Sequence, residues 1–171
     1  MKDTLNIINT LLEEGIIEKY AIGGSIASLF YVEPTVTFDL DIMIILPKTV
    51  HKLDQLREIY EWAEKKNYKS IAEHIEIEGI AVQFLPAYNE LIEEAIAESL
   101  EKEYDGVKTY VISPEYLVSI MIQTNRAIDR ERALRFYETY EKLDKEMIKK
   151  ICEKFKLSEK HNQFIKRLEN E

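Results

Sequence analysis

Residues 21–46 read AIGGSIASLFYVEPTVTFDLDIMIIL, and the order of residue types in this stretch decides the fold. Tyr20-Ala21-Ile22 is a short buried strand, and Gly23-Gly24-Ser25 is a sharp turn into a helix. That helix, Ile26 to Tyr31, stops ahead of Pro34 because the residue before a proline disfavours the helical region. Phe38 to Leu46 is the longest apolar stretch, a central strand ended by Pro47. Side chains alternate across a strand, so Asp39 and Asp41 share one face while Phe38, Leu40, Ile42 and Ile44 share the other.

Working outward, the glycines punctuate the chain. Gly15 ends a helix over residues 3–14 whose apolar side holds Leu5, Ile8, Leu11 and Leu12. Helical spacing recurs over Thr49–Lys66. Ser70–Ile77 and Ile80–Leu85 form a hairpin around Glu78-Gly79, which sets Ile77 against Ile80, Glu76 against Ala81, Ile75 against Val82 and His74 against Gln83. Asn89–Ser99 is helical and Val107–Ile112 is a strand. Ser113-Pro114-Glu115 is a strong helix start, with serine as cap and proline in the first turn. From there to the end the pattern is helical and holds no glycine. The fold class is α+β: a mixed sheet flanked by helices over residues 1–112, then a helical region over 113–171 expected to pack on it.

With 171 residues, 46% hydrophobic and 32% charged, the chain is long enough for one domain and a helical appendage. No apolar run reaches the ~18–20 residues of a membrane helix. The acid-containing amphipathic start is unlike a secretion signal, so the cytoplasm is the expected location. The single cysteine, Cys152, precludes an internal disulfide. A net charge of −9 argues against a dedicated duplex binder. The arginines of residues 126–135, RAIDRERALR, read as a solvated helix face with acidic partners. His51 and His161 read as surface histidines, and Cys152 as a buried structural thiol. The apolar positions beyond residue 140 either close a core or form a homo-oligomeric face.

The chemistry concentrates in the opening stretch. Glycine permits close backbone approach and positive φ, the first free amides of a helix can cradle an anion, and Ser25 adds a hydroxyl. Two carboxylates on one buried face repel unless a cation or a basic partner stands between them, and a divalent metal is the economical answer. Structural acids in salt bridges are the alternative.

Gly-Gly-Ser, a helix, then Thr37-x-Asp39-x-Asp41 resembles the nucleotidyltransferase superfamily, the polymerase-β-like fold. ISPEYLVSIMIQTNRAIDRERA, residues 112–133, is similar to the helical segment of small prokaryotic nucleotidyltransferases of the AbiEii toxin-like type. The resemblance implies a nucleotidyltransferase fold with a C-terminal helical cap. It implies that Gly23, Gly24, Ser25 and Thr37 hold the triphosphate, that Asp39 and Asp41 are catalytic and bind Mg²⁺ or Mn²⁺, and that Arg126 and Asp129 contact the nucleotide. A nucleoside monophosphate would pass from the triphosphate to an RNA, protein or small-molecule acceptor, tRNA and protein being the analogies.

Two positions depart from the family pattern. The third carboxylate, expected in a Val-Asp-x-Leu context, is replaced by Gln83 in Val82-Gln83-Phe84-Leu85, and the family lysine by Met121. The hairpin pairing places His74, Glu76 and Gln83 on one face, so Glu76 or His74 can stand in for the missing acid, with Glu76 and Gln83 as further metal contacts. The competing expectation is a catalytically degenerate nucleotide-binding or interaction module, one partner of a toxin–antitoxin-like pair.

Overall fold

The computed structural model describes residues 1–33, 39–50 and 54–169. The chain divides into two compact units, one of Met1–Ala27 with Thr35–Ile112 and one of Ser28–Pro34 with Ser113–Glu171. The fold is mixed α+β, with seven strands and eight helices among the described residues.

In the first unit the order is α1 (Lys2–Glu13), β1 (Lys19–Ile22), α2 (Gly24–Ser28), β2 (Asp39–Ile45), α3 (Arg57–Lys65), β3 (Lys69–Ile71), β4 (His74–Ile77), β5 (Ile80–Pro86), α4 (Glu90–Ala97), β6 (Leu100–Tyr104) and β7 (Val107–Val111). The strands form one sheet in the order β3-β4-β5-β2-β1-β7-β6. β2 is central, antiparallel to β1 and parallel to β5.

Alternation gives this sheet one buried, largely apolar face. Tyr20, Ile22, Leu40, Ile42, Ile44, Ile75, Ile77, Val82 and Val111 are all at most 1% exposed, and the registers bring them to the same side. α1 lies against that side with Leu5, Ile8 and Leu11 buried. Three polar contacts pin it: the Thr4 hydroxyl donates to the Ile77 carbonyl at 3.2 Å, the Tyr20 hydroxyl donates to Asn9 Oδ1 at 2.8 Å, and Asn9 Nδ2 donates to the Lys108 carbonyl at 2.9 Å. Burial pushes the Tyr20 hydroxyl up to about 12, against a smaller opposing effect of its hydrogen bond with Thr109, so it stays protonated.

The β4–β5 register is the one the Glu78-Gly79 turn requires, with Ile77 opposite Ile80 and His74 opposite Gln83. Glu78 and Gly79 both have positive φ, 50° and 75°, as a primed two-residue turn demands. The expected strand Ser70–Ile77 is instead two strands, because Ala72 at φ 53° turns the chain and pairs β3 with β4. Of the helix expected over Thr49–Lys66, the described residues are helical only over Arg57–Lys65; residues 51–53 lie outside the described residues. β6 was not expected. Asp105-Gly106 is a second primed turn, φ 49° and 81°, and it folds Leu100–Tyr104 back onto β7.

The second unit contains α5 (Pro114–Thr124), α6 (Ala127–Thr139), α7 (Lys145–Lys154) and α8 (Ser158–Leu168). Ser113 caps α5 as its sequence requires, accepting from the Tyr116 amide. The helical run is broken without glycine: Asn125 and Lys156 take the left-handed conformation at φ 52° and 60°. Tyr31 joins this unit through ring contacts with Phe136 and Tyr140. Cys152 is fully buried, and burial raises its thiol to about 11 despite a hydrogen bond with Ser119.

His161 corrects the surface assignment: it is 8% exposed, and its Nε2 has no hydrogen-bond partner among the described residues. The charged residues around it misled the reading, since Lys149 and Glu153 flank its site from α7 rather than marking an open surface. Burial, with Lys149 adding to it and Glu153 opposing it, holds the imidazole below the ordinary histidine value.

Two predictions follow from these features. At Gly79 an added Cβ meets nothing within 4 Å, so Gly79→Ala should cost about 1–2 kcal/mol through the left-handed backbone alone, read as a lowered urea midpoint with an unchanged m-value. For His161 the folded state binds the proton less well than the unfolded chain, so its contribution to stability is present above its unfolded value and is lost as pH falls below about 6.5. Urea unfolding at pH 7.5, 6.5 and 5.5 should show that decline in the wild type and a shallower one in His161→Gln.

Candidate active site

The second face of the sheet carries the acids. Asp39 and Asp41 project from β2 on the side opposite Leu40 and Ile42. In the parallel pairing Asp41 faces Gln83 and Asp39 faces Ala81. In the next pairing Gln83 faces His74 and Ala81 faces Glu76. Two rows therefore cross three strands on one face: Asp41, Gln83, His74 and Asp39, Ala81, Glu76. Ala81 presents a single methyl, and across that low point His74 Nε2 comes within 4.0 Å of Asp39 Oδ2. Glu76 points to the same face from β4 but is exposed.

This face is more open than the flanking Ile-Met-Ile-Ile run implied. The Asp39 side chain is 55% exposed and that of His74 is 25% exposed. The apolar run buries the opposite face, so burial alone does not demand a cation between the acids. The donor set nevertheless suits one. Mg²⁺ is ordinarily held by one or two carboxylates, with water and substrate phosphate completing the octahedron. Asp39 and Asp41 supply that number from one face, and Gln83 adds a neutral carbonyl oxygen beside Asp41. Among the described residues no group of three or more His, Cys, Asp or Glu side chains is arranged to enclose an ion, so a bound ion here would take its other positions from water and phosphate.

The glycine pair is fitted to this strand with little room to spare. The Gly23 amide donates to the Asp41 carbonyl at 2.9 Å, extending the β1–β2 pairing by one residue. A Cβ on Gly23 would sit 2.8 Å from Met43 Cε, and a Cβ on Gly24 would fall on Asp41 Oδ2, with Asp41 Cγ at 2.9 Å. Gly24 also has φ +55°, so both sterics and backbone require glycine. Met43 continues the face of Asp39 and Asp41, a role that its spacing of two would have revealed but that sequence reading passed over.

α2 begins at Gly24, two residues ahead of the expected start, and is five residues long. Ser25 is buried, 7% exposed, in its first turn. So short a helix contributes little macrodipole. Thr37 lies outside the described residues, as do Phe38 and His51.

Arg126 and Asp129 belong to the second unit and are built into a helix start there. Asp129 is 3% exposed. Its carboxylate receives Arg126 Nε at 2.6 Å, Arg126 Nη2 at 3.2 Å and the Thr124 hydroxyl at 2.6 Å. This triad fixes the Asn125 bend and satisfies a buried acid at the third position of α6. Met121, where the family lysine was expected, is a buried residue of α5.

Comparisons with known proteins bear on this geometry. The model of a family described as "Nucleotidyl transferase of unknown function" (DUF2204) matches residues 1–170. No curated protein matches the sequence. Among solved structures, an antigenic nucleotidyltransferase-like protein from Paracoccidioides brasiliensis superposes with a TM-score of 0.54 at 14% identity, covering 98% of this chain and 92% of that one. The antibiotic-resistance factor ANT(2'')-Ia, studied in solution, gives 0.43 at 17% identity, covering 99% and 97%. A crystal structure of ANT(2'')-Ia in complex with adenylyl-2''-tobramycin gives 0.41 at 16% identity, covering 95% and 97%.

Because the place of a Gly24 side chain is already filled by the Asp41 carboxylate, Gly24→Ala should push that carboxylate off its position. The expected signature is loss of divalent-ion binding by calorimetry, together with a drop in thermal stability larger than that of Gly79→Ala, whose Cβ meets open space.

Proposed function

The chain belongs to this family of nucleotidyl transferases, and we propose that it moves a nucleoside monophosphate from a nucleoside triphosphate to an acceptor hydroxyl, with Asp39 and Asp41 as the acids at the reacting phosphate. The observation that carries this reading is the packing of the Asp41 carboxylate against Gly24. It puts an acid able to hold a cation directly beside backbone able to approach a phosphate closely. Mg²⁺ or Mn²⁺ held by Asp39 and Asp41 would supply neutralisation of the charge on the triphosphate and on the leaving pyrophosphate.

The protein's own residues divide the remaining work. The turn at Gly23 and Gly24 brings backbone up against Asp41, and the Ser25 hydroxyl in the first turn of α2 would donate to a phosphate oxygen. Gln83 donates or accepts a hydrogen bond beside Asp41 but takes no proton. Arg126 and Asp129 hold the start of α6 in the second unit.

Charge bears on the acceptor. Residues 1–112 contain 10 Lys and Arg against 21 Asp and Glu, a net −11, whereas residues 113–171 contain 13 against 11, a net +2. A polyanion such as tRNA approaches the first of these against its field, so a protein or small-molecule hydroxyl is the favoured acceptor class.

A second reading has its own observation. Gln83 stands beside Asp41 in the register where the family pattern places a third carboxylate, which favours a nucleotide-binding module that has lost transfer. One experiment separates the two. Protein is incubated with α-³²P-labelled triphosphates, Mg²⁺ or Mn²⁺, and either cellular protein, small-molecule extract or RNA. Transfer of label is expected, with a loss of at least about 10²-fold in Asp39→Asn and in Asp41→Asn. Triphosphate binding by calorimetry without any transfer would instead establish the binding module, and transfer undiminished in both variants would overturn the assignment of the acids.

A further inference from the structure

The separation of His74 Nε2 from Asp39 Oδ2 is 4.0 Å, the outer limit of an ion pair. It exceeds the ~3.2 Å limit of a good N–H···O bond. Two ligands bonded at about 2.0–2.2 Å to one ion stand roughly 3.0–3.4 Å apart at cis or tetrahedral angles, so a small rotation of these partly exposed side chains brings them to that spacing. The sheet produces this gap: β5 separates the two strands, and Ala81 leaves open the space that any longer side chain would fill. Gln83 borders the same space, with Asp41 on its other side.

From this geometry we propose that His74 and Asp39 together bind a first-row divalent ion that accepts nitrogen, Mn²⁺, Co²⁺ or Zn²⁺, in preference to Mg²⁺. The inference rests on the reading of the Asp39–Asp41 face as cation-binding, and it names His74 as the residue that sets which cation is held. Two features of this chain act in the same direction. Gln83 replaces an anionic oxygen ligand with a neutral one, which weakens the all-oxygen, high-charge environment that hard Mg²⁺ favours. His74 adds an imidazole, a ligand suited to transition ions and poorly suited to Mg²⁺. Two protein donors leave the remaining coordination positions to water and to phosphate.

The test uses the full chain with Mn²⁺ alone, followed by electron paramagnetic resonance, in the wild type, His74→Gln, Asp39→Asn and Asp41→Asn. Each variant is first checked for native circular dichroism. His74 is partly exposed and its replacement should fold. The expected result is a ¹⁴N modulation of the bound Mn²⁺ signal in the wild type that vanishes in His74→Gln, with Mn²⁺ affinity weakened by at least about tenfold. Calorimetric Mg²⁺ binding should be unchanged in His74→Gln. Mn²⁺ binding that requires Asp39 or Asp41 but shows no nitrogen coupling and no dependence on His74 would overturn this proposal and leave the proposed function standing. Mn²⁺ binding to none of the proteins would overturn both.

Discussion

Everything in the first unit that bears on chemistry depends on one close approach: the Asp41 carboxylate lies where a side chain on Gly24 would be. The contact links the end of β1 to β2 one residue past their regular pairing, through the Gly23 amide and the Asp41 carbonyl. It determines where α2 begins and which way Asp41 points. It also accounts for both glycines. Gly23 makes room for Met43 and Gly24 makes room for Asp41, so the pair is an imprint of the strand beside it rather than a loose turn. A carboxylate held in this way pays for its position in backbone freedom, because only glycine adopts that conformation there without strain.

The apolar face is what keeps the acids in place. Along β2, Leu40, Ile42 and Ile44 are buried, and a slip of one residue would exchange them with Asp39, Asp41 and Met43. The cost of burying two carboxylates and exposing three branched apolar residues fixes the register more firmly than any contact on the acidic face could. The chemistry is thus positioned by residues that take no part in it. The same holds on β4 and β5, where Ile75, Ile77 and Val82 fix the outward direction of His74 and Gln83.

Much of this was legible in the sequence, and for identifiable reasons. The spacing of two between the acids, the apolar residues interleaved with them, and Glu78-Gly79 as a two-residue turn together specify which residues share a face, and the structure has that register. Periodicity failed where the chain turns without glycine or proline. Ala72 and Lys156 adopt left-handed conformations that their identities do not announce, so one expected strand became two, and the helical run became four helices broken at Asn125, over Tyr140–Asp144 and at Lys156. Asp105-Gly106 did announce its turn. β6 was missed because Leu100–Tyr104 is an edge strand whose alternation is masked by charge. His161 was misread because neighbours along a helix say little about what lies across from it. The openness of the Asp39 side was illegible for a related reason: an apolar run states that one face is buried and is silent about the other.

The replacement at position 83 changes the balance of charge as well as the count of ligands. Within residues 1–112, whose net charge is −11, a third carboxylate beside Asp39 and Asp41 would add repulsion that a bound cation must offset. Glutamine removes that demand, and solvent screens the two acids on a half-open face. The cost falls on affinity for a hard cation, because charge on the ligands is what holds one. A triphosphate approaching so acidic a surface carries its own negative charge, so the nucleotide and the cation have most to gain by binding together. Cation and nucleotide binding should therefore be mutually reinforcing, each tightening the other by the same factor, since coupling between two ligands is reciprocal.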